Sequence, residues 1–177
     1  LKFLSLTDSN VKSDFCVNIS FDKEERTITV EDNGIGMNEE DLEKNLGTIA
    51  ESGTLAFKKE NENDGAEMIG QFGVGFYSAF MVAEKVTVIT KKYNSDIALK
   101  WVSEGCDGYT IEECEKNGCG TDIIMSIKPD TEEDKYSQYL ESYTVQGLVK
   151  QYSDYIRYPI KMEIETTKNT APEGEEP

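Results

Sequence analysis

The chain contains no histidine. This excludes every Ser-His or Cys-His nucleophile and any imidazole general base within it, and leaves carboxylates, amides and backbone as the available chemistry. Basic residues are scarce as well. Lys plus Arg number 18 against 35 Asp plus Glu, a net charge of −17, which would repel a nucleic-acid backbone instead of releasing its counterions. Nucleic acid is therefore not expected as a partner, and a ligand carrying phosphates would have to be held locally, by backbone N–H groups and a helix N-terminus. No run approaches the roughly 20 apolar residues that span a bilayer, and the opening "LKFLSLTDSN" lacks the apolar stretch of a secretory signal. The expectation is a soluble, cytoplasmic protein with no membrane partner. The cysteines Cys16, Cys106, Cys114 and Cys119 include no C-x-x-C pair, so no metal site is expected and they read as reduced thiols.

What remains is sufficient for one domain. A chain of 177 residues, 37% hydrophobic, buries roughly 70% of its unfolded surface. "FCVNISF" alternates Phe15, Val17, Ile19 and Phe21 against polar positions, and "TITVED" returns after "DKEER", so 15–32 reads as a hairpin. "NEEDLEKNLGTIA" (38–50) carries a helix signature: Asn38 can cap, Asp41 sits at the capping-box position, and Leu42, Leu46 and Ile49 recur at helical spacing. Residues 51–67, centred on "KKENENDGAE", have the composition of an exposed loop or lid. "FYSAFMVA" reads as a buried helix. Strands are expected at 85–91, 97–103, 109–113 and 121–128. Two helices follow. The first is "DTEEDKYSQYL", capped by Asp130 or Thr131, and the second is "VQGLVKQYSDYI", with Val145, Val149 and Tyr152 on one face beside Leu148 and Ile156. "PIKMEIE" (159–165) reads as a last strand, and 166–177 as the start of a charged linker. The expected fold class is α+β, a two-layer sandwich in which helices cover one face of a mostly antiparallel sheet.

Glycines carry the functional signal. "MIGQFGVGFYSAF" (68–80) brings Gly70, Gly73 and Gly75 ahead of a helix-like run. A dinucleotide turn needs G-x-G-x-x-G directly after a strand, and "GQFGVG" has the reverse spacing; no Walker lysine-serine pair follows it. Alone, these could be hinge and turn glycines with no ligand. A second cluster, "VEDNGIGM", places Asp32 at a strand end, with Gly34 and Gly36 leaving a gap beside it and Met37 as an apolar wall. A buried carboxylate there can accept from an amine on a flat heterocycle. With Asn45 on the capped helix and a distant phosphate-wrapping "GQFGVGFYS", the pattern describes a pocket with a base end and a phosphate end.

"DNGIGM", "NLGTIAESGT" and "GQFGVGFYSAF", in this order and spacing, resemble the nucleotide-site motifs of the ninety-kilodalton heat-shock chaperones. These belong to the GHKL ATPase superfamily, with gyrase-type topoisomerases, histidine kinases and mismatch-repair ATPases. "KVTVITK", "GCGTDIIMSIK" and "VKQYSDYIRYPI" extend the resemblance over nearly the whole chain, and "LTDSN" with the short lid insert favours the bacterial type over the eukaryotic cytosolic form. The resemblance implies a stress-response ATPase that uses ATP binding and hydrolysis to close a lid and clamp a homodimer on client proteins, with ATP or ADP and magnesium as cofactors and with ansamycin- or resorcinol-type inhibitors as competitors. It implies a nucleotide-binding domain over 1–165, incomplete at its start.

Residue by residue, the resemblance implies that Asp32 binds the adenine amine, that Gly36 and Met37 line the base pocket, and that Asn45 contacts the ribose and phosphate side. Ser52 and Gly53 would begin the lid. Gly70, Gln71, Phe72, Gly73, Val74, Gly75 and Phe76 would offer backbone N–H groups to the phosphates, and Thr121 would reach the water network around Asp32. The family's first strand and helix, with the glutamate that polarises water and the asparagine that binds magnesium, are expected upstream of Leu1. No catalytic residue or metal ligand is therefore assigned within the chain, which by itself is expected to hold nucleotide weakly and to release no phosphate. Glu51 stands where the family usually has lysine. The alternatives are another GHKL ATPase, disfavoured by "GQFGVGFYS" and by the negative charge, and a non-catalytic nucleotide-binding fragment.

Overall fold

The computed structural model describes residues 14–47, 75–105, 108–153 and 155–164. Seven strands among them form one sheet: β1 (Val17–Asp22), β2 (Thr27–Asp32), β3 (Ala83–Lys91), β4 (Ala98–Ser103), β5 (Tyr109–Cys114), β6 (Gly120–Ile127) and β7 (Ile160–Met162), in the spatial order β5-β4-β3-β6-β2-β1-β7. Every pairing is antiparallel except β1 with β7. The expected α+β class and mostly antiparallel sheet are thus seen, with one parallel edge that short-range patterning did not give.

Alternation along each strand splits the sheet into two faces. Register places Ile19, Val30, Ile123, Val88 and Trp101 in one row across five strands, and Phe21, Ile28, Met125 and Val86 in the next. These residues and the helical segments packed on them make two contiguous clusters. One joins Leu42 and Leu46 to Val86, Val88, Leu99 and Trp101; the other joins Ile19, Ile28 and Ile127 to Leu140. The opposite face is largely polar and carries the ion pairs Lys100–Glu112 at 2.8 Å and Lys116–Asp122 at 2.5 Å.

Helix α1 (Glu39–Leu46) starts where the sequence places it. Asn38 accepts from the Asp41 backbone N–H at 2.9 Å, and Asp41 returns the bond to the Asn38 N–H at 3.1 Å. The Asp41 carboxylate also receives Lys92 Nζ at 2.6 Å, which ties the helix start to the end of β3. Leu42 and Leu46 face inward, and the Tyr77 hydroxyl donates to the Leu46 carbonyl at 2.7 Å at the far end.

The other helical expectations are corrected in part. "FYSAFMVA" forms a 3₁₀ helix, Phe76–Met81, none of whose residues is fully buried. Phe76, Ala79 and Phe80 pack on the first cluster while Ser78 and Met81 are exposed. "DTEEDKYSQYL" yields only the short 3₁₀ helix Tyr136–Leu140. Asp130 accepts from the Ser137 N–H and hydroxyl, both at 2.7 Å, and Thr131 accepts from the Asp134 N–H at 2.9 Å, so local side-chain bonds replace the helical ladder. Helix α2 spans Ser142–Tyr152, beginning earlier and ending earlier than its pattern suggests. Val145 and Val149 pack on the second cluster, whereas Tyr152 is 72% exposed. No helix among the described residues is long and apolar enough to cross a membrane.

Leu42, wholly buried under the sheet, anchors α1. Leu42→Ala should cost roughly 2–5 kcal/mol in denaturant unfolding, against within about 0.5 kcal/mol for Tyr143→Ala on the exposed side of α2; equal losses would show that α1 is not packed as described.

Candidate functional site

The ends of β2, β6 and β3 bring three polar side chains to one rung on the apolar face. Asp32 pairs with Thr121, and Thr121 pairs with Thr90. Asp32 is half-buried, and its carboxylate accepts from the Gly34 N–H at 2.7 Å. Its pKa is pushed above the ordinary carboxylate value by burial; backbone N–H groups of Gly34 and Thr121 work in the opposite direction, Asp122 adds to the rise and Lys116 opposes it. Desolvation outweighing two hydrogen bonds marks a carboxylate placed where charge is costly, as binding and catalytic groups often are.

The loop after β2 is held against β3. Gly36 has φ +65°, and a Cβ there would run into the backbone carbonyl of Lys91, so no other residue fits. Gly120, at φ +127°, abuts the Asp32 carbonyl in the same manner, which locks the start of β6 to the end of β2. The Met37 N–H donates to Thr90 Oγ1 at 2.9 Å, and Thr90 Oγ1 also lies 3.1 Å from the Gly120 carbonyl and 3.0 Å from Thr121 Oγ1.

Asn45 projects from α1 toward the same loop. Among the described residues its amide nitrogen has only the Met37 sulfur, at 4.0 Å, and its buried amide oxygen has no partner. A buried amide left unsatisfied calls for a hydrogen-bonding group, and a bound ligand would supply one. On the β1 side, Phe15, Cys16, Val17, Asn33 and Tyr158 wall a cleft of about 190 Å³ that reaches Asp32. Asp32 and Gly34 also line it, so the cleft adjoins the site.

Of the residues expected in the pocket, Asp32, Gly36, Met37, Asn45 and Thr121 therefore come together. Phe76 lies apart from them by role: its ring is packed edge-on to Trp101, 5.5 Å between centroids, in the core cluster. Gly75 takes ordinary helical angles, and a Cβ there would meet open space, so nothing within the described chain requires a glycine at that position. Ser52, Gly53, Gly70, Gln71, Phe72, Gly73 and Val74, and with them the expected lid and Glu51, lie outside the described residues. Thr90, absent from the expected site, is its most connected polar group. The signal was a threonine on the inward-facing positions of "KVTVITK", where Val86 and Val88 are its neighbours.

Residues 7–121 match the family of histidine kinase-, DNA gyrase B-, and HSP90-like ATPases. The chain belongs to this ATPase family. It is also 55% identical to a chaperone protein HtpG of Bacillus subtilis over 178 residues, covering 98% of this chain and 28% of the relative. To the chaperone protein HtpG of Clostridium acetobutylicum it is 55% identical over 174 residues, 96% of this chain and 27% of the relative. The chaperone protein HtpG of Clostridium perfringens is 53% identical over 98% of the chain and 28% of the relative. The chain thus spans little more than a quarter of the length of these relatives. For a member of the ATPase family, the rung at Asp32 falls within the matched residues, and Thr121 closes the match.

A carboxyl held above its ordinary value of 3.8 contributes fully to folding stability below that value, and the contribution is lost as the pH rises through the raised midpoint, the reverse of an ion-paired carboxylate. A ¹³C titration of the Asp32 carboxyl in the ligand-free protein should have its midpoint above 3.8; a midpoint at or below that value would contradict a desolvated site.

Proposed function

We propose that residues 1–165 are the nucleotide-binding domain of an ATP-dependent chaperone of the HSP90-like type, and that Asp32 is its main contact to the adenine amine. The observation that carries this reading is the Asp32 carboxylate itself: half-buried, raised in pKa by burial, and fixed by backbone N–H groups at a strand end where Gly34 leaves no side chain. A neutral exocyclic amine supplies two donors and no charge, which suits an acceptor in a desolvated place. Met37 would pack on the base, and the unpartnered amide of Asn45 would meet the ribose or phosphate side. The "GQFGVGF" backbone would take the phosphates and 51–67 would cover them as a lid.

ATP with magnesium would supply the phosphoanhydride to be cleaved and the counter-charge on its oxygens. The residues of this chain bind and orient the nucleotide, and no catalytic base is assigned among them. In the whole protein, binding and hydrolysis would drive lid closure and a homodimeric clamp on unfolded or partly folded client proteins in the cytoplasm, with 166–177 leading into a linker. The relatives' name, chaperone protein HtpG, supports this against a gyrase- or kinase-type reading.

Asp32→Asn in the full natural chain should weaken ADP binding by about 1–3 kcal/mol, because the Gly34 N–H keeps the amide oxygen and leaves an NH₂ facing the adenine amine. Unchanged ADP affinity by calorimetry would remove Asp32 from the base contact.

A further inference from the structure

The hydrogen bonds around Thr90 fix which way its neighbour can bond. Thr90 is fully buried, and its hydroxyl has one proton to give and two lone pairs to receive. Three groups surround its oxygen: the Met37 N–H at 2.9 Å, the Gly120 carbonyl at 3.1 Å and the Thr121 hydroxyl at 3.0 Å. The Met37 N–H can only donate and the Gly120 carbonyl can only accept. Thr90 therefore spends its proton on Gly120, and the contact with Thr121 is a bond only if Thr121 donates to Thr90. Any other arrangement sets two acceptors against each other in a buried place, which is costly. With its proton committed to Thr90, Thr121 has lone pairs alone to offer beside the Asp32 carboxylate.

We propose that Thr90 is a positioning residue that sets base specificity: by taking the Thr121 proton it holds Thr121 as an acceptor, so that the Asp32 end of the pocket takes a 6-amino purine and rejects a 6-oxo purine. This rests on the reading of Asp32 as the base contact. An adenine amine brings donors to two acceptors, whereas the oxo group of hypoxanthine brings a lone pair to both. Asp32 supplies part of that discrimination directly. Thr90 supplies the rest without touching the ligand, because a Thr121 hydroxyl released from it could turn and donate to the oxo group. Thr90 also holds the Met37 N–H, and through it the loop that walls the base.

The test compares ATP with inosine triphosphate, which differ only at the 6-position and the adjacent ring nitrogen, by calorimetry on the full natural chain and its Thr90→Val and Thr90→Ser variants. The parent should prefer ATP. Thr90→Val, similar in shape but without the hydroxyl, should cut the ratio of the two affinities by about tenfold, chiefly by improving inosine triphosphate binding, and Thr90→Ser should restore it. A purely structural role would weaken both nucleotides together and leave the ratio unchanged, and that result overturns the proposal. So does a Thr90→Ser variant that melts like the parent yet has the ratio of Thr90→Val. If Thr90→Val does not fold, Thr90→Ser decides the matter by protection of the Met37 amide from hydrogen exchange together with a parental ratio; loss of both overturns it. A parent that binds neither nucleotide refutes the nucleotide reading of Asp32, whereas a parent that selects ATP beside a Thr90→Val variant that does so equally refutes only the role of Thr90.

Discussion

The structure depends on the antiparallel pairing of β2 with β6 and of β6 with β3, which sets Asp32, Thr121 and Thr90 side by side at one end of the sheet. These segments are far apart in sequence, and a shift of one residue in either register would turn the affected side chains to the opposite face. The register is held by apolar rows below the polar rung. Val30, Ile123 and Val88, then Ile28, Met125 and Val86, lie side by side toward the core in this alignment. The same hydrophobic burial that stabilises the sheet therefore positions a carboxylate where its charge is costly. Two glycines complete the lock, because Gly36 and Gly120 let backbone approach backbone at the points where a Cβ would collide.

Helix α1 links the polar rung to the rest of the domain. Its start is tied to Lys92 just beyond β3 by the Asp41 ion pair, its end is held by Tyr77, and its buried side carries Leu42 and Leu46 over Val86 and Val88. Asn45 is thereby presented to the loop that holds Met37. The ion pair is half-exposed and contributes little by itself. Its role is geometric: it fixes where the helix begins relative to the strand that carries Thr90.

Features set by neighbouring residues were legible in the sequence. The Asn38–Asp41 capping box is complete within four positions, and the hairpin of β1 and β2 follows from alternation and a short turn. The "DNGIGM" run announced a strand end beside a carboxylate, because two glycines so close together weaken strand pairing and let the backbone turn sharply. Long-range features were hidden. Thr90 meets partners 30 and 53 residues away, so the one local hint, a polar residue on the inward positions of a strand, says nothing of what it meets. The parallel edge with β7 required knowing where the chain returns after α2. The aromatic run after Gly75 has enough apolar residues for a buried helix, yet it forms a 3₁₀ helix none of whose residues is fully buried. In 142–158, Tyr152 fits the apolar pattern but stands outside the packed face, since α2 ends there.

The central claim is that the Asp32–Thr121–Thr90 rung is the base end of a purine nucleotide site. A crystal structure of the protein with ADP bound tests it most directly. The account predicts the exocyclic amine within hydrogen-bonding distance of the Asp32 carboxylate, the ring against Met37, and Thr121 turned toward Thr90. A purine seated anywhere that leaves Asp32 without a ligand contact would contradict it.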